Sequence, residues 1–390
     1  MKIVELTLFH VRIPLRKKIR HASHVRTETD NVIVRLALDS GHVGHGEGVP
    51  REYVTGEDIG FTMDLLKRAD LAAQLEPVHD WSQALTIAER LKLPPVDGDI
   101  RHCKGNAARC AIEIAYLDAI GQAFGQPLSQ VAKSLTPDVY SPRDKVQYSG
   151  ALTSSKNWKT RIAAFGQRIY GFSQIKVKVG TAGQDDAKRL RAIRFRVGRK
   201  MDLRIDANEA WLPDEALSKI LELRPFGITS VEQPLPQTAN SHLPALRKEM
   251  AIPVMLDESL CSRVDAENAI ENQWCDLFNI RLSKCGGLIP SLRLAELAKR
   301  SNLGYQLGCQ VGETAILSAA GRHFATSVAD IRYLEGSYDK HLVREALATE
   351  DMSFRMGGWA PALTKPGLGI EIDPTALERV TVRKDVLLAR

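Results

Sequence analysis

The sequence predicts an α/β fold: a (β/α)8-type barrel carrying an N-terminal α+β capping module that the C-terminal tail completes. Three observations predict it. From about Lys145 to about Leu334, strand and helix patterns alternate until eight strands are counted, the number that closes such a barrel. Within that stretch Lys178, Asp206, Glu232 and Asp257 each end a short apolar run, at steps of 28, 26 and 25 residues. One strand–helix crossover consumes about that much chain. Ahead of the barrel, residues 2–14 and 31–38 alternate in the strand manner, and a third strand follows the Asp39-Ser40-Gly41-His42 turn.

Taken in order, the first elements form an antiparallel meander whose third strand runs through Gly44-His45-Gly46-Glu47-Gly48. Helical patterns follow near 56–75, 80–92 and 105–123. The last sets Ala107, Cys110, Ala111, Ile114 and Ala115 on one face, with Asp118 next along it, either at the edge of the core or paired. This order of elements makes residues 1–135 the α+β capping module. The barrel is expected over 140–335, with strands at 145–150, 173–178, 201–206, 228–232, 253–257, 276–281, 304–308 and 330–334. Helices fill the intervals between them. The tail, 336–390, is rich in Gly and Pro, holds a strand candidate at Val380-Thr381-Val382, and is expected to return to the capping module.

Composition narrows the function classes. The chain has 390 residues, 44% hydrophobic and 26% charged, ordinary for a globular protein. No apolar run reaches the roughly 18–20 residues that span a bilayer. The first residues read as a strand and not as a signal peptide, so the cytoplasm is the expected compartment. Six cysteines lack zinc or redox spacing and read as free, mostly buried thiols. The net charge of +6 is diffuse apart from Arg16-Lys17-Lys18 and Arg20. No aromatic residues interleave with it, so nucleic acid is not an expected partner. An acidic small-molecule substrate suits the charge.

The four strand-end residues carry the chemistry. In a closed barrel the C-terminal strand ends converge on one mouth. Three carboxylates there repel unless a hard cation sits between them, and Mg²⁺ is the natural occupant. Near Lys176 and such a cation, Lys178 is poised to lose its proton and act as a general base. A base beside a metal-held carboxylate is a device for abstracting an α-proton, because the metal stabilises the enediolate.

With these motifs the chain resembles the enolase superfamily, and within it the muconate-lactonizing-enzyme-like subgroup of the mandelate racemase/muconate lactonizing enzyme family. The resemblance covers essentially the whole chain. It rests on Lys176-Val177-Lys178, Asp206-Ala207-Asn208-Glu209-Ala210-Trp211, Val231-Glu232-Gln233-Pro234, Asp257-Glu258-Ser259 and Lys284-Cys285-Gly286-Gly287. It implies that Asp206, Glu232 and Asp257 bind Mg²⁺, that Lys178 is the base and that Lys176 supports it. It also places Asn208 and Glu313 at the substrate. The His-Asp dyad of mandelate-racemase-like relatives has no match at Gln306-Leu307-Gly308-Cys309-Gln310.

One departure matters. Where the subgroup has a second lysine, after strand six, this chain has Arg281. Arginine stays protonated and is a poor acid or base. Arg281 is either a catalytic cation or a charge partner for a neighbouring acid, and Lys284 lies past the strand. One-base chemistry is therefore expected: muconate-type cycloisomerisation or a related syn elimination. Acid-sugar dehydration, then epimerisation, then a metal-binding pseudoenzyme are the alternatives. Substrate choice falls to the early loop Ile19–Arg26, with Arg20, His21, His24 and Arg26, and to Arg51–Thr55 with Tyr53. His45 and His102 read as structural. A homo-oligomer is expected from the resemblance.

Overall fold

The computed structural model describes residues 1–20, 25–153 and 157–389. Strands β1 (Ile3–Arg20), β2 (Val25–Leu38) and β3 (Val43–Gly48) form the meander. β4 (Lys145–Gln147) stands apart. β5 (Gly150–Leu152), β6 (Gln174–Lys178), β7 (Asp202–Asp206) and β8 (Ile228–Glu232) begin the barrel. β9 (Val254–Leu256), β10 (Leu277–Ile280), β11 (Gly304–Leu307) and β12 (Ile331–Leu334) complete it. β13 (Trp359–Pro361) and β14 (Thr381–Ala389) belong to the tail.

The barrel strands lie in the sheet order β12 back to β5, each parallel to the next in the pairs that define it. The Ser149 N–H donates to the Leu334 carbonyl at 2.7 Å, bringing the two edges of the sheet together. Helices such as 186–197, 213–223 and 288–300 follow the strands. This is the α/β barrel that the alternation predicts.

Two expectations about elements need correction. Residues 145–150 are not the first barrel strand. β4 pairs antiparallel with β13 in a two-stranded ribbon, and the barrel begins at Gly150. Lys145 is exposed and Gln147 half-buried, which suits a ribbon with one wet face. The meander strands are also longer than 2–14 and 31–38. β1 and β2 pair as far as Ile19↔Arg26 and Arg20↔Val25, so both flanks of the early loop belong to a two-stranded ribbon. Its polar run Arg16-Lys17-Lys18 hides the strand from an apolar-alternation reading. His21 and His24 lie outside the described residues.

The capping sheet has the order β14-β1-β2-β3. The tail thus returns, as expected, and pairs antiparallel along β1 from Glu5↔Ala389 to Val11↔Thr381. Helix Asn106–Ala123 packs unusually close to β3. A Cβ at Gly44, Gly46 or Gly48 would overlap the carbonyl oxygens of Ala115, Ala111 and Ala107 in turn. Three alternate glycines on the strand therefore face three alanines spaced by one helical turn. Farther along that face, Asp118 is paired. It accepts from the backbone of His45 (2.9 Å) and Leu368 (2.8 Å), tying sheet, helix and tail together. Gly367, at φ +68°, leaves room for this, since its Cβ would collide with the Asp118 carboxylate.

The barrel helix Ala315–Ser327 completes the tail's anchorage. His323 is fully buried, with Nε2 3.0 Å from the Leu368 carbonyl. Burial pulls its pKa down from 6.5 to about 4, against the bond to Leu368. Between those values the unfolded chain holds a proton that the native chain refuses, so acid favours unfolding. The stability from this neutral histidine is complete above about pH 6.5 and is lost as pH falls through about 4. His323→Gln should therefore cost most at pH 7. Its deficit relative to the parent should shrink by roughly 3 kcal/mol between pH 7 and pH 4, measured by urea unfolding at each pH.

Candidate active site

Short strands set the site residues. β6 ends at Lys178, β7 at Asp206 and β8 at Glu232, while Asp257 and Arg281 follow β9 and β10 by one residue. Register places Lys178 beside Asp206 and Asp206 beside Glu232. All lie at the C-terminal ends of parallel strands, where barrel loops can complete a site. A cavity of about 220 Å³ opens there, lined by Lys176, Lys178, Asp206, Asn208 and Arg281. Tyr53 and Glu313 line it too. Glu232 and Asp257 are fully buried and do not line it.

The carboxylates are met by buried cations. Lys176 Nζ lies 3.2 Å from both Glu232 oxygens, 2.9 Å from Glu335 and 3.4 Å from Asp206. Burial works against its charge, but Glu232, Glu335 and Asp206 hold its pKa well above the ordinary lysine value. Glu335, one residue past β12, also binds Arg204 at 2.5 Å. Lys284 donates to Asp257 Oδ1 at 2.8 Å, to the Asp257 carbonyl at 2.6 Å and to the Asn279 carbonyl at 2.9 Å. The guanidinium of Arg281 sits on Asp257 Oδ2 and 3.6 Å from Glu232 Oε1. Burial opposes ionisation of Asp257, but Arg281 and Lys284 hold its pKa well below the usual carboxylate range. Burial, with Asp206 nearby, pushes Glu232 the other way.

This geometry decides between Arg281 and Lys284. Arg281 reaches the cavity, whereas Lys284 lies below it with three acceptors engaged. Lys178 belongs to the second barrel strand and Arg281 follows the sixth, so they stand on opposite sides of an eight-stranded ring. Lys178 Nζ donates to Asn208 Oδ1 at 2.7 Å. Asn208 takes a left-handed backbone (φ +45°) and donates from Nδ2 to Glu258 at 3.2 Å.

The donor set suits a hard divalent cation. Three carboxylates stand at consecutive strand ends, and the buried Asp206 Oδ2 accepts no hydrogen bond. Yet among the described residues no three acid, His or Cys side chains are already gathered into a cage. The Arg281 guanidinium lies against Asp257 and close to Glu232. A cation entering between those two acids must move it aside.

The substrate-facing expectations divide. Tyr53 lines the cavity, and Arg26 stacks over its ring at 5.6 Å. Arg51, by contrast, is buried and binds the Val311 and Pro50 carbonyls, so it braces the loop after β11. The side chain of Arg20 and all of His21 fall outside what is described. Glu313 Oε1 accepts from the Gln310 N–H at 2.7 Å. Burial pushes its pKa up to about 8, against that bond, so near neutrality it carries a proton. Lys17, Glu335, Tyr338 and His341 also line the cavity and escape sequence reasoning. Only Glu335 left a signal, as an acid closing the eighth apolar run.

Comparison with known proteins adds independent weight. Residues 3–132 match the family model for the mandelate racemase/muconate lactonizing enzyme N-terminal domain, and residues 161–376 the enolase C-terminal domain-like model. An N-succinyl-L-Arg/Lys racemase of Bacillus cereus is 30% identical, over 99% of this chain and 100% of that protein. Its crystal structure superposes with a TM-score of 0.86. The dipeptide epimerase of Cytophaga hutchinsonii, complexed with Mg and the dipeptide D-Ala-L-Val, gives 0.84 at 26% identity, covering 99% and 100% of the chains. A muconate lactonizing enzyme from Pseudomonas fluorescens gives 0.84 at 25%, covering 97% and 99%. Racemases and epimerases, ranked low from the sequence, thus stand prominently among the relatives.

The buried ion pairs make an energetic prediction. Lys284→Met leaves Asp257 with one fewer buried cation and should destabilise the metal-free protein by roughly 3–5 kcal/mol in urea unfolding. Lys178→Met, at the cavity wall, should cost about 1 kcal/mol or less by the same measurement. Equal losses would mean that Lys284 is not the structural cation.

Proposed function

The chain belongs to the mandelate racemase/muconate lactonizing enzyme family of the enolase superfamily, and from that premise we propose that it removes the α-proton of a small carboxylate from one face, in a Mg²⁺-dependent cycloisomerisation or syn elimination. It is an isomerase/lyase-class enzyme of that superfamily. The observation that carries the finer reading is the pairing of Lys178 with Arg281 across the cavity, while Lys284 is withdrawn from it. One side of the site holds a group able to take a proton. The other holds a permanent cation.

Asp206, Glu232 and Asp257 hold the metal, which when bound supplies electrophilic stabilisation to the substrate carboxylate. Lys178 Nζ takes the α-proton and, in the syn course, delivers it to the departing group on the same face. Asn208 aims that nitrogen through its 2.7 Å hydrogen bond. Lys176 stays cationic among three acids. Arg281, once moved from the carboxylates, faces the negative charge that builds as the proton leaves. Protonated Glu313 donates to a substrate oxygen. Lys17, Arg26 and Tyr53 give the cap side of the cavity a basic, aromatic edge. That edge favours a second anionic or polar group on the substrate.

A second reading is epimerisation, which the names of the relatives favour. It needs a proton carrier on the Arg281 side, and Glu313 is the titratable cavity residue whose proton is available near neutrality.

Deuterium separates the two. In D₂O with Mg²⁺ and a carboxylate substrate or slow analogue, one enantiomer should exchange its α-proton with configuration kept. Lys178→Ala should abolish that exchange. Glu232→Gln should weaken Mg²⁺ binding by roughly tenfold or more in calorimetry, as losing one carboxylate ligand charge does. Equal uptake into both enantiomers by the parent protein supports epimerisation, and its loss in Glu313→Gln would name the second carrier.

A further inference from the structure

The capping module and the barrel meet at two thiols that the proposed reaction does not use. Cys103 lies just before helix Asn106–Ala123, and Cys261 lies in the loop after Asp257. Both are buried in one small apolar cluster with Val54, and Tyr53 of the cavity wall packs against that cluster. The two thiols are neighbours in that three-residue cluster. Each also reaches the end of the short helix Glu52–Thr55: Cys103 Sγ lies 4.0 Å from the Thr55 carbonyl and Cys261 Sγ 3.8 Å from that of Val54.

Arg101 fixes this alignment. Its Nε and Nη2 donate to the two oxygens of Asp265 at 2.9 and 2.8 Å, and its Nη1 donates to Gln237 at 2.7 Å. Nη2 also donates to the Glu258 carbonyl at 2.9 Å. The same Asp265 Oδ2 accepts the Cys261 N–H at 2.8 Å. One barrel carboxylate therefore holds both the segment that carries Cys103 and the backbone of Cys261. This half-buried charge pair makes the approach of the two thiols a property of how the modules dock.

We propose that Cys103 and Cys261 are a redox modification site, forming a reversible disulfide that staples the capping module to the barrel beside the cavity. The oxidant is a small peroxide. Cys261 is the attacking sulfur: burial opposes its ionisation, but the neighbouring Cys103 thiol, Lys284 and Arg101 bring it below the ordinary thiol value. Its thiolate attacks one peroxide oxygen, the O–O bond breaks, and a sulfenic acid and hydroxide form. The hydroxide takes the Cys103 proton and becomes water. The Cys103 thiolate then attacks the Cys261 sulfur, the S–S bond forms, the S–O bond breaks and a second hydroxide leaves. The thiol pair gives up two electrons and the peroxide accepts them. A dithiol reductant reverses the step by exchange.

The test uses the full-length protein, reduced and then treated with hydrogen peroxide. Intact mass should fall by two hydrogens. After free thiols are alkylated, peptide mapping should recover a Cys103–Cys261 linked pair that dithiothreitol releases. Amide hydrogen exchange over residues 52–56 and 98–105 should slow in the oxidised protein and recover on reduction. Cys103→Ser should instead leave Cys261 as sulfenic or sulfinic acid. The proposal is overturned if peroxide leaves both thiols alkylatable, or if the linkage recovered from the parent protein joins other cysteines. It is equally overturned if Cys261 of the parent protein goes to sulfinic acid without a linkage. Because the linkage is mapped in the parent protein, the test still decides even where the Cys103→Ser variant fails to fold.

Discussion

Buried like charge is the constraint on which this structure depends. Asp206, Glu232, Asp257 and Glu335 all lie within one barrel mouth, none more than 6% exposed. Anions this close repel by several kcal/mol even in a fairly polar interior, and each loses its hydration as well. The fold sets four cations against them: Lys176 meets Glu232 and Asp206, Arg204 meets Glu335, and Arg281 and Lys284 both meet Asp257. That explains a barrel interior that departs from the branched apolar filling usual in this architecture. It also explains why Lys176 lies in mid-strand, where it reaches three acids from three different strand ends.

The same rule governs how the capping module is held. Glu47, on β3, accepts the Thr314 and Leu317 N–H groups and the Thr314 hydroxyl, at the start of the barrel helix Ala315–Ser327. Glu113, in the long capping helix, accepts the Ile289 N–H at the start of Leu288–Arg300 and binds Arg109 at 2.5 Å. Helix N-termini leave unpaired N–H groups and a partial positive charge. Each acid satisfies those donors from the other module. Wet surface pairs would let the two modules slide, but fully buried acids hold one docking geometry. Tyr53 and Lys17 are thereby carried to the mouth of a barrel whose chemistry lies elsewhere in the chain.

How much of this could be read from the sequence follows from what each residue does. Lys178, Asp206, Glu232 and Asp257 were legible because an acid or lysine closing an apolar run, repeated at one crossover length, is a rare pattern. Glu335 closes such a run too, but it stands at the very end of the barrel stretch, far along the chain from the other three acids. Lys284 and Arg204 were not legible as partners, because a buried cation announces itself only through the acid it meets in space. The ribbon end of β1 and β2 was missed because Arg16-Lys17-Lys18 puts charge on both faces there, and periodicity reports burial before it reports strand geometry. The displaced first barrel strand has the same cause. Gly150-Ala151-Leu152 is too short to show a pattern, while the neighbouring Lys145-Val146-Gln147 alternates plainly.

Arg281 is where the resemblance to known enzymes and the chemistry of this chain part. A lysine there could shed its proton to a neighbouring acid or to substrate. A guanidinium cannot, so its contact with Asp257 and its approach to Glu232 are electrostatic only. Such a group shares the Asp257 carboxylate with Lys284 and balances charge in the barrel mouth. Arg281 reaches the cavity opposite Lys178. There it offers planar, paired donors to an anionic oxygen, geometry that an ammonium lacks. On the proposed reading, a site built this way stabilises charge on one side and moves protons on the other. The departure from the two-lysine pattern is therefore a change in the division of labour, and it leaves the acids that organise the barrel mouth untouched.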